Sequence, residues 1–228
     1  MIKLRKSEER GQVNHGWLKA KHSFSFASYQ DPKHKHFGPL RVINQDIIAG
    51  DAGFPEHPHD NMEIITYIIS GEMSHKDSTG GGSTIFPGKI QRMSAGSGIS
   101  HSEFNSSSNE TELLQIWLFP EKKDIEPSYE EKEFSETVNN LQLLVSQKGE
   151  SASLHINRDI KLYRSFLKAE KNINYKPEKK QQWIQLVSGS LLVNDIELKD
   201  GDGLGLKDFE EISIQASKDA HFLLFDMN

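Results

Sequence analysis

The chain has 228 residues, of which 35% are hydrophobic and 26% charged, and its formal net charge is −6 at pH 7. This length suffices for one large or two modest domains with a substantial buried core. The acidic balance argues against direct nucleic-acid binding, because a protein that contacts phosphates needs a basic surface. The sequence contains no cysteine, so any metal must be bound by His, Asp or Glu.

The N-terminal segment, residues 1–6, is charged and lacks the apolar run of a signal peptide. No window approaches the roughly 18 apolar residues of a membrane-spanning helix. We therefore expect a cytoplasmic protein that makes no membrane contact. The absence of cysteine fits that location, since a disulfide framework is typical of exported proteins.

A segment rich in proline and lysine, residues 31–40, predicts a loop. It contains His34 and His36, whose spacing would suit a metal site. Their cationic neighbours disfavour a divalent ion and we see no carboxylate partner at hand, so we predict a solvated loop instead. We interpret the remaining scattered histidines as structural, namely His15, His22, His155 and His221.

Two short histidine-bearing segments lie in the stretch of residues 53–105. Side chains two residues apart in a strand point to the same face, so His57 and His59 project together, as do His101 and Glu103. If the two segments lie on neighbouring antiparallel strands, three imidazoles and one carboxylate meet. That donor set suits a divalent transition metal.

The residues between these segments predict a β-meander. Residues 62–69 are rich in β-branched side chains and residues 73–77 alternate in polarity, as strands do. Gly80, Gly81 and Gly82 then predict a hairpin loop. A phosphate-binding loop is disfavoured there, because neither a Lys-Ser/Thr pair nor a helix start follows the glycines.

Between residues 120 and 140 the composition becomes strongly charged, which predicts a surface linker and a domain boundary. We expect an N-terminal metal-binding domain over residues 1–130 and a C-terminal barrel over residues 131–228. Short strand patterns at hairpin spacing follow in the second half.

The two halves also show an internal repeat, since residues 67–73 resemble residues 185–191. The positions in the second half that correspond to His57 and His101 hold Tyr175 and Ile214. We therefore predict that the second barrel lacks the metal ligands.

The chain contains the segments His15-Gly16-Trp17-Leu18, His22-Ser23-Phe24-Ser25-Phe26, Phe37-Gly38-Pro39-Leu40-Arg41-Val42, His57-Pro58-His59-Asp60-Asn61-Met62-Glu63, Gln91-Arg92-Met93-Ser94-Ala95-Gly96 and His101-Ser102-Glu103-Phe104. With these segments it resembles the pirin family of the cupin superfamily, closely in the N-terminal half and more loosely in the C-terminal half. The resemblance implies an all-β bicupin, in which two antiparallel, jelly-roll-like barrels face each other and the N-terminal barrel binds one metal. The ligands it implies are His57, His59, His101 and Glu103.

The sequence departs from the general cupin pattern at two positions. Glu63 stands where many cupins have a ligand, and Ser94 replaces the usual proline. In pirins the carboxylate beside the second histidine serves instead, so we interpret Glu63 as a strand residue or an outer partner of the site.

Three imidazoles and one carboxylate leave a divalent metal one or two open positions, which favours chemistry over a structural role. Iron(II) is the first choice, and manganese, cobalt, nickel, copper and zinc are further candidates.

The resemblance implies a dioxygenase like bacterial quercetin 2,3-dioxygenase, an oxidoreductase that cleaves a flavonol with O2 and releases carbon monoxide. Glu103 is then the candidate base for the flavonol hydroxyl. The alternative is a metal- and redox-dependent regulatory protein, similar to pirin co-regulators, that acts through a protein partner without turnover. A sugar- or small-molecule-binding cupin with an incidental metal is a third hypothesis. We expect a monomer that binds no nucleic acid.

Overall fold

The computed structural model describes residues 1–228, and its regular structure consists of twenty strands and two 3₁₀ turns, Ser7–Glu9 and Glu150–Ala152. The first twelve strands are β1 (Ile2–Arg5), β2 (Gly11–Asn14), β3 (Leu18–His22), β4 (Leu40–Ile48), β5 (Ala52–His59), β6 (Glu63–Ser70), β7 (Met73–Asp77), β8 (Gly82–Ile85), β9 (Lys89–Ser94), β10 (Ile99–Asn105), β11 (Thr111–Leu118) and β12 (Ser128–Glu133). The remaining strands are β13 (Gln142–Ser146), β14 (Leu154–His155), β15 (Ile160–Leu167), β16 (Asn172–Tyr175), β17 (Gln181–Val193), β18 (Ile196–Lys199), β19 (Gly203–Lys207) and β20 (Ile212–Met227). No helix in the structure has the length and apolar character needed to cross a membrane.

The chain divides into two compact units. We call residues Gly11–Phe134 with Leu154–Arg158 the N-terminal unit, and Met1–Arg10, Ser135–Ser153 and Asp159–Asn228 the C-terminal unit. The predicted all-β, two-barrel fold class is confirmed. The predicted domain limits, 1–130 and 131–228, and the facing arrangement of the two barrels stay predictions.

The N-terminal unit contains two antiparallel sheets. Seven strands pair in the order β12-β9-β6-β11-β4-β3-β2, and four pair in the order β5-β10-β7-β8. The central strand β6 is apolar on both faces, with Ile64, Ile65 and Ile68 all buried, as expected for a strand with neighbours on each side. The smaller sheet carries the histidine-bearing segments on β5 and β10.

The C-terminal unit is built around a sheet in which β1, β19, β17, β20, β15 and β13 pair in that order, while β16 pairs with β20 and β18 with β17. Its interior is apolar. Tyr175 and Ile214, the counterparts of His57 and His101 in the sequence repeat, both belong to this apolar core. The interior positions that correspond to the histidines thus pack as core side chains.

The prediction of a surface linker was wrong for residues 128–133. Strand β12 occupies these residues and pairs along its whole length with β9. Its four charged residues, Glu130 to Glu133, are typical of an edge strand, which proteins protect with charge. Tyr129 and Glu131 make specific contacts from this strand: Tyr129 stacks on His75 and Glu131 forms an ion pair with Lys89.

Candidate metal centre

The pairing of β5 with β10 brings the three predicted imidazoles together. His57 lies directly opposite His101, and His59 lies two residues further along the same face of β5. The ring centroids are 4.4 Å apart for His57 and His101, 4.8 Å for His57 and His59, and 4.9 Å for His59 and His101. One ring nitrogen from each residue lies within 4.8 Å of the other two.

Burial keeps two rings of this cluster, those of His59 and His101, neutral. Burial, reinforced by the neighbouring His57, lowers the pKa of His59 to about 4. Burial also lowers the pKa of His101 to about 3, again with contributions from the adjacent imidazoles. Neutral imidazoles present free nitrogen lone pairs at pH 7, and a metal ion requires that form.

The hydrogen bonds of the outer ring nitrogens identify which atoms face the centre of the cluster. His57 Nδ1 lies 2.8 Å from the carbonyl oxygen of Pro55, which can only accept, so Nδ1 carries the hydrogen and Nε2 is left as the ligand atom. His101 Nε2 is buried without a hydrogen-bond partner. An unsatisfied buried polar atom costs about 1–3 kcal/mol, and a metal ion would satisfy it. The three residues therefore fit a divalent transition metal.

Glu103 lies beside the cluster in a fully buried position. A carboxylate oxygen of Glu103 lies within 4.8 Å of ring nitrogens of His75 and His101, so these three residues form a second group of potential ligands. His57 and His59 do not belong to that second group. Thr66 Oγ1 donates to one carboxylate oxygen over 3.1 Å, and Gln115 Nε2 donates to the other over 2.6 Å. Burial raises the pKa of Glu103 to about 7, against the opposing effect of these two hydrogen bonds.

A row of polar side chains crosses the seven-stranded sheet and supports this region. The strand register aligns His22, Asn44, Gln115, Thr66 and Gln91 as successive neighbours on five adjacent strands. All five are buried. Sequence reasoning missed this row, although the signal was present as polar residues at inward positions of otherwise apolar strands.

Sequence reasoning also missed a buried pair on β7. His75 Nε2 lies 3.1 Å from Asp77 Oδ2, and neither side chain is exposed to solvent. Burial lowers the pKa of His75, while the Asp77 carboxylate opposes that shift. The available signal was the spacing of two residues, the same spacing that pointed to His57 and His59.

The histidine cluster opens onto a cavity of about 300 Å³. Its walls are mainly apolar and aromatic, and such walls suit a flat aromatic molecule. Trp117 lies 4.9 Å from the His59 ring and 5.3 Å from Phe26, both edge-on. The apolar part of the lining includes Leu18, Phe26, Phe54, Ile64 and Trp117, and the polar part includes Asn44, Asp46 and Gln115.

Two further predictions concern residues outside the cluster. Glu63 is buried and accepts hydrogen bonds from Ser94 and Asn157, so it acts as a structural acceptor in the strand. The statement that the 31–40 loop lacks a carboxylate partner was wrong, because His34 Nδ1 lies 2.9 Å from Asp31 Oδ2. His36 instead contacts the carbonyl oxygen of Gly38.

The fold and the site together define a class of protein: a bicupin with a candidate divalent-metal site, lined by histidines, in its N-terminal unit. A family model described as Pirin matches residues 3–118, and one described as Quercetinase C-terminal cupin domain matches residues 143–227. The chain belongs to the pirin family.

Individual relatives agree over the full length of the chain. The chain is 44% identical to a protein of Escherichia coli K12 named quercetin 2,3-dioxygenase, covering 100% of this chain and 99% of that protein. It is 39% identical to a pirin-like protein of Caulobacter vibrioides, covering 99% of each. The crystal structure of the E. coli pirin YhhW in complex with nickel(II) superposes with a TM-score of 0.95 at 43% identity, covering 100% of this chain and 99% of that one.

Proposed function

We propose that this protein is a metal-dependent dioxygenase of the quercetin 2,3-dioxygenase type, which cleaves flavonol-type substrates with O2. The observation that carries the proposal is the position of three imidazoles and one buried carboxyl group at the wall of a cavity with aromatic side chains. The name of the E. coli relative supports the same activity. The proposed ligands are His57, His59, His101 and Glu103.

A bound divalent ion, iron(II) as first choice, would supply Lewis-acid and redox chemistry toward the flavonol and O2. The chain itself supplies binding and orientation. Phe26, Phe54 and Trp117 form aromatic walls for a planar ring system, Leu18 and Ile64 add apolar surface, and Asn44, Asp46 and Gln115 add polar groups. A planar flavonol would bind between these aromatic walls, next to the histidines.

Glu103 is the proposed base for the flavonol hydroxyl. In the metal-free protein burial raises the pKa of Glu103 to about 7, so this carboxylate holds a proton more readily than one in water does. When a carboxylate oxygen of Glu103 takes the proton, the residue reaches the neutral form that its buried surroundings favour. Gln115 still donates to the other oxygen, and Thr66 can rotate its hydroxyl to accept the new hydrogen.

The test is oxygen uptake and carbon monoxide release by protein purified without a histidine tag, loaded with iron(II) and mixed with quercetin. We expect turnover by the wild type and a kcat about 100- to 10,000-fold lower in Glu103→Gln. Glu56→Gln, an exposed carboxylate on β5, is the matched control and should retain full activity. Absence of oxygen uptake with every flavonol and every candidate metal, or full turnover by Glu103→Gln, would overturn the proposal. Metal-dependent capture of a protein partner without turnover would instead support the regulatory alternative.

A further inference from the structure

Three buried side chains form a line that ends at the histidine cluster. Strand β7 pairs with β10, placing Asp77 opposite His101 and His75 opposite Glu103. Asp77 Oδ2 lies 3.1 Å from His75 Nε2, and His75 Nδ1 lies 3.4 Å from His101 Nδ1. Tyr129 stacks on His75 with a centroid separation of 4.9 Å and an interplanar angle of 23°, which fixes the plane of that ring.

The Asp77 carboxylate determines which ring nitrogens along this line carry a hydrogen. Asp77 Oδ1 accepts hydrogen bonds from the Thr79 backbone N–H at 2.8 Å, the Thr79 hydroxyl at 2.6 Å and the Gly81 N–H at 3.1 Å. The other oxygen faces His75. A carboxylate has no hydrogen to donate, so His75 Nε2 must be the donor, and Nδ1 of the neutral ring is then an acceptor.

Two groups face this acceptor. Gln91 Nε2 lies 3.2 Å from His75 Nδ1, and His101 Nδ1 lies 3.4 Å from it. One lone pair serves both in a three-centre arrangement, and both neighbours must donate. His101 therefore carries its hydrogen on Nδ1 and its lone pair on Nε2, the nitrogen without a hydrogen-bond partner in the cluster.

We propose that Asp77 and His75 are positioning residues that select the metal-binding tautomer of His101 through this hydrogen-bond chain. The inference rests on the ligand set given under the proposed function. The backbone carbonyl of Pro55 selects the corresponding tautomer of His57, and no side-chain substitution removes that carbonyl. His101 depends on two side chains, so its tautomer is open to mutation.

Asp77→Asn reverses the chain without changing its shape. The Thr79 N–H, the Thr79 hydroxyl and the Gly81 N–H still donate to the position of Oδ1, so the amide oxygen of the new Asn side chain occupies that position. The NH2 group of the Asn side chain then faces His75 Nε2. His75 must then accept at Nε2 and donate from Nδ1, and while Gln91 keeps its amide orientation the acceptor is His101 Nδ1. The hydrogen of His101 moves to Nε2 and blocks the lone pair required for a metal. An Asp→Asn change that favours the wrong histidine tautomer has a precedent in serine protease triads.

The first experiment records long-range ¹H–¹⁵N NMR spectra of ¹⁵N-histidine-labelled, metal-free protein. We expect His101 to be the Nδ1–H tautomer in the wild type and the Nε2–H tautomer in Asp77→Asn. Thr79→Ala is the matched control, because it removes one donor to the same carboxylate and leaves the proton on His75 in place. An Nε2–H tautomer in the wild type, or an unchanged Nδ1–H tautomer in Asp77→Asn, would overturn the proposal.

The second experiment measures nickel(II) affinity by isothermal titration. Asp77→Asn should bind about 10- to 100-fold more weakly than the wild type, the usual effect of losing an outer hydrogen-bond partner, and Thr79→Ala should bind as the wild type does. His75→Phe, which retains the ring stack on Tyr129, should also bind more weakly. If His57→Ala weakens binding and neither Asp77→Asn nor His75→Phe does, the positioning role is wrong and the ligand set stands. If His57→Ala also leaves the nickel(II) affinity unchanged, the proposed ligand set is wrong. The positioning role proposed for Asp77 and His75 is then wrong as well.

Discussion

Gln115 donates a hydrogen bond to Glu103 over 2.6 Å from the opposite sheet of the N-terminal unit. The contact orients the carboxylate that we propose as a base, and it joins the polar row on the seven-stranded sheet to the histidine-bearing strand β10. The two residues are only twelve positions apart in the chain. They meet because β10 and β11 belong to different sheets.

Glu103 makes the stability of the metal-free protein depend on pH. Its pKa is raised from 4.5 to about 7 by burial, so the folded state favours the protonated form. Folding stability is therefore fully present below pH 4.5 and decreases as the pH rises through 7. Glu103→Gln lacks this titrating group. Between pH 4.5 and 8 the free energy of unfolding of the wild type should therefore fall by on the order of 3 kcal/mol relative to that of Glu103→Gln.

Urea denaturation of both metal-free proteins across this pH range provides the measurement. The comparison uses the difference between the two proteins, so that other titrating groups cancel. A difference that does not change with pH would contradict the assigned shift of Glu103.

Gly53 should be intolerant of any side chain. It lies opposite Phe104 in the β5–β10 pair, and an added Cβ would lie 2.2 Å from the Glu103 carbonyl oxygen and 2.6 Å from the Phe104 Cα. Because both clashes are with backbone, Gly53→Ala must separate the strands that carry His57 and His101. We expect a loss of about 1–3 kcal/mol in unfolding free energy, with weaker nickel(II) binding.

Thermal unfolding and nickel(II) titration test this prediction, with Ser102→Ala on the same strand pair as the control. Wild-type stability and affinity in Gly53→Ala would show that the strands tolerate separation at this point.

His221 predicts an acid-sensitive contribution in the C-terminal unit. Its ring stacks on Phe166 with a centroid separation of 4.3 Å, and burial, followed by the charge of Arg164, lowers its pKa to about 4. The unfolded chain protonates first, near pH 6.5, so stability is fully present above that pH and is lost as the pH falls toward 4. His221→Gln should lose less stability than the wild type between pH 6.5 and 4, as measured by urea denaturation. Parallel curves for the two proteins would contradict the prediction.

The sequence was most informative where local periodicity determines side-chain direction. Alternation along a strand is a property of the backbone, so strand periodicity alone places residues two apart, such as His57 and His59, on one face. The internal repeat was informative as well, because Tyr175 and Ile214, the counterparts of His57 and His101 in that repeat, belong to the apolar core of the second half. Resemblance to pirins supplied the bicupin fold, which periodicity alone does not specify.

The supporting residues could not be predicted because their partners come from distant strands. Thr66 and Glu103 are 37 residues apart, and His75 and His101 are 26 apart. Strand register determines such contacts, and register depends on tertiary packing. Strand β12 was missed for a related reason: its charges look solvated in the sequence, while pairing with β9 turns Tyr129 onto His75.

A crystal soaked in nickel(II), with an anomalous difference map recorded at the nickel absorption edge, tests the central claim most directly. We predict one strong peak about 2.1 Å from a ring nitrogen of each of His57, His59 and His101, with Nε2 as the ligand atom of His57 and His101. A peak at His34 or His36, or no peak among the three clustered imidazoles, would contradict the account.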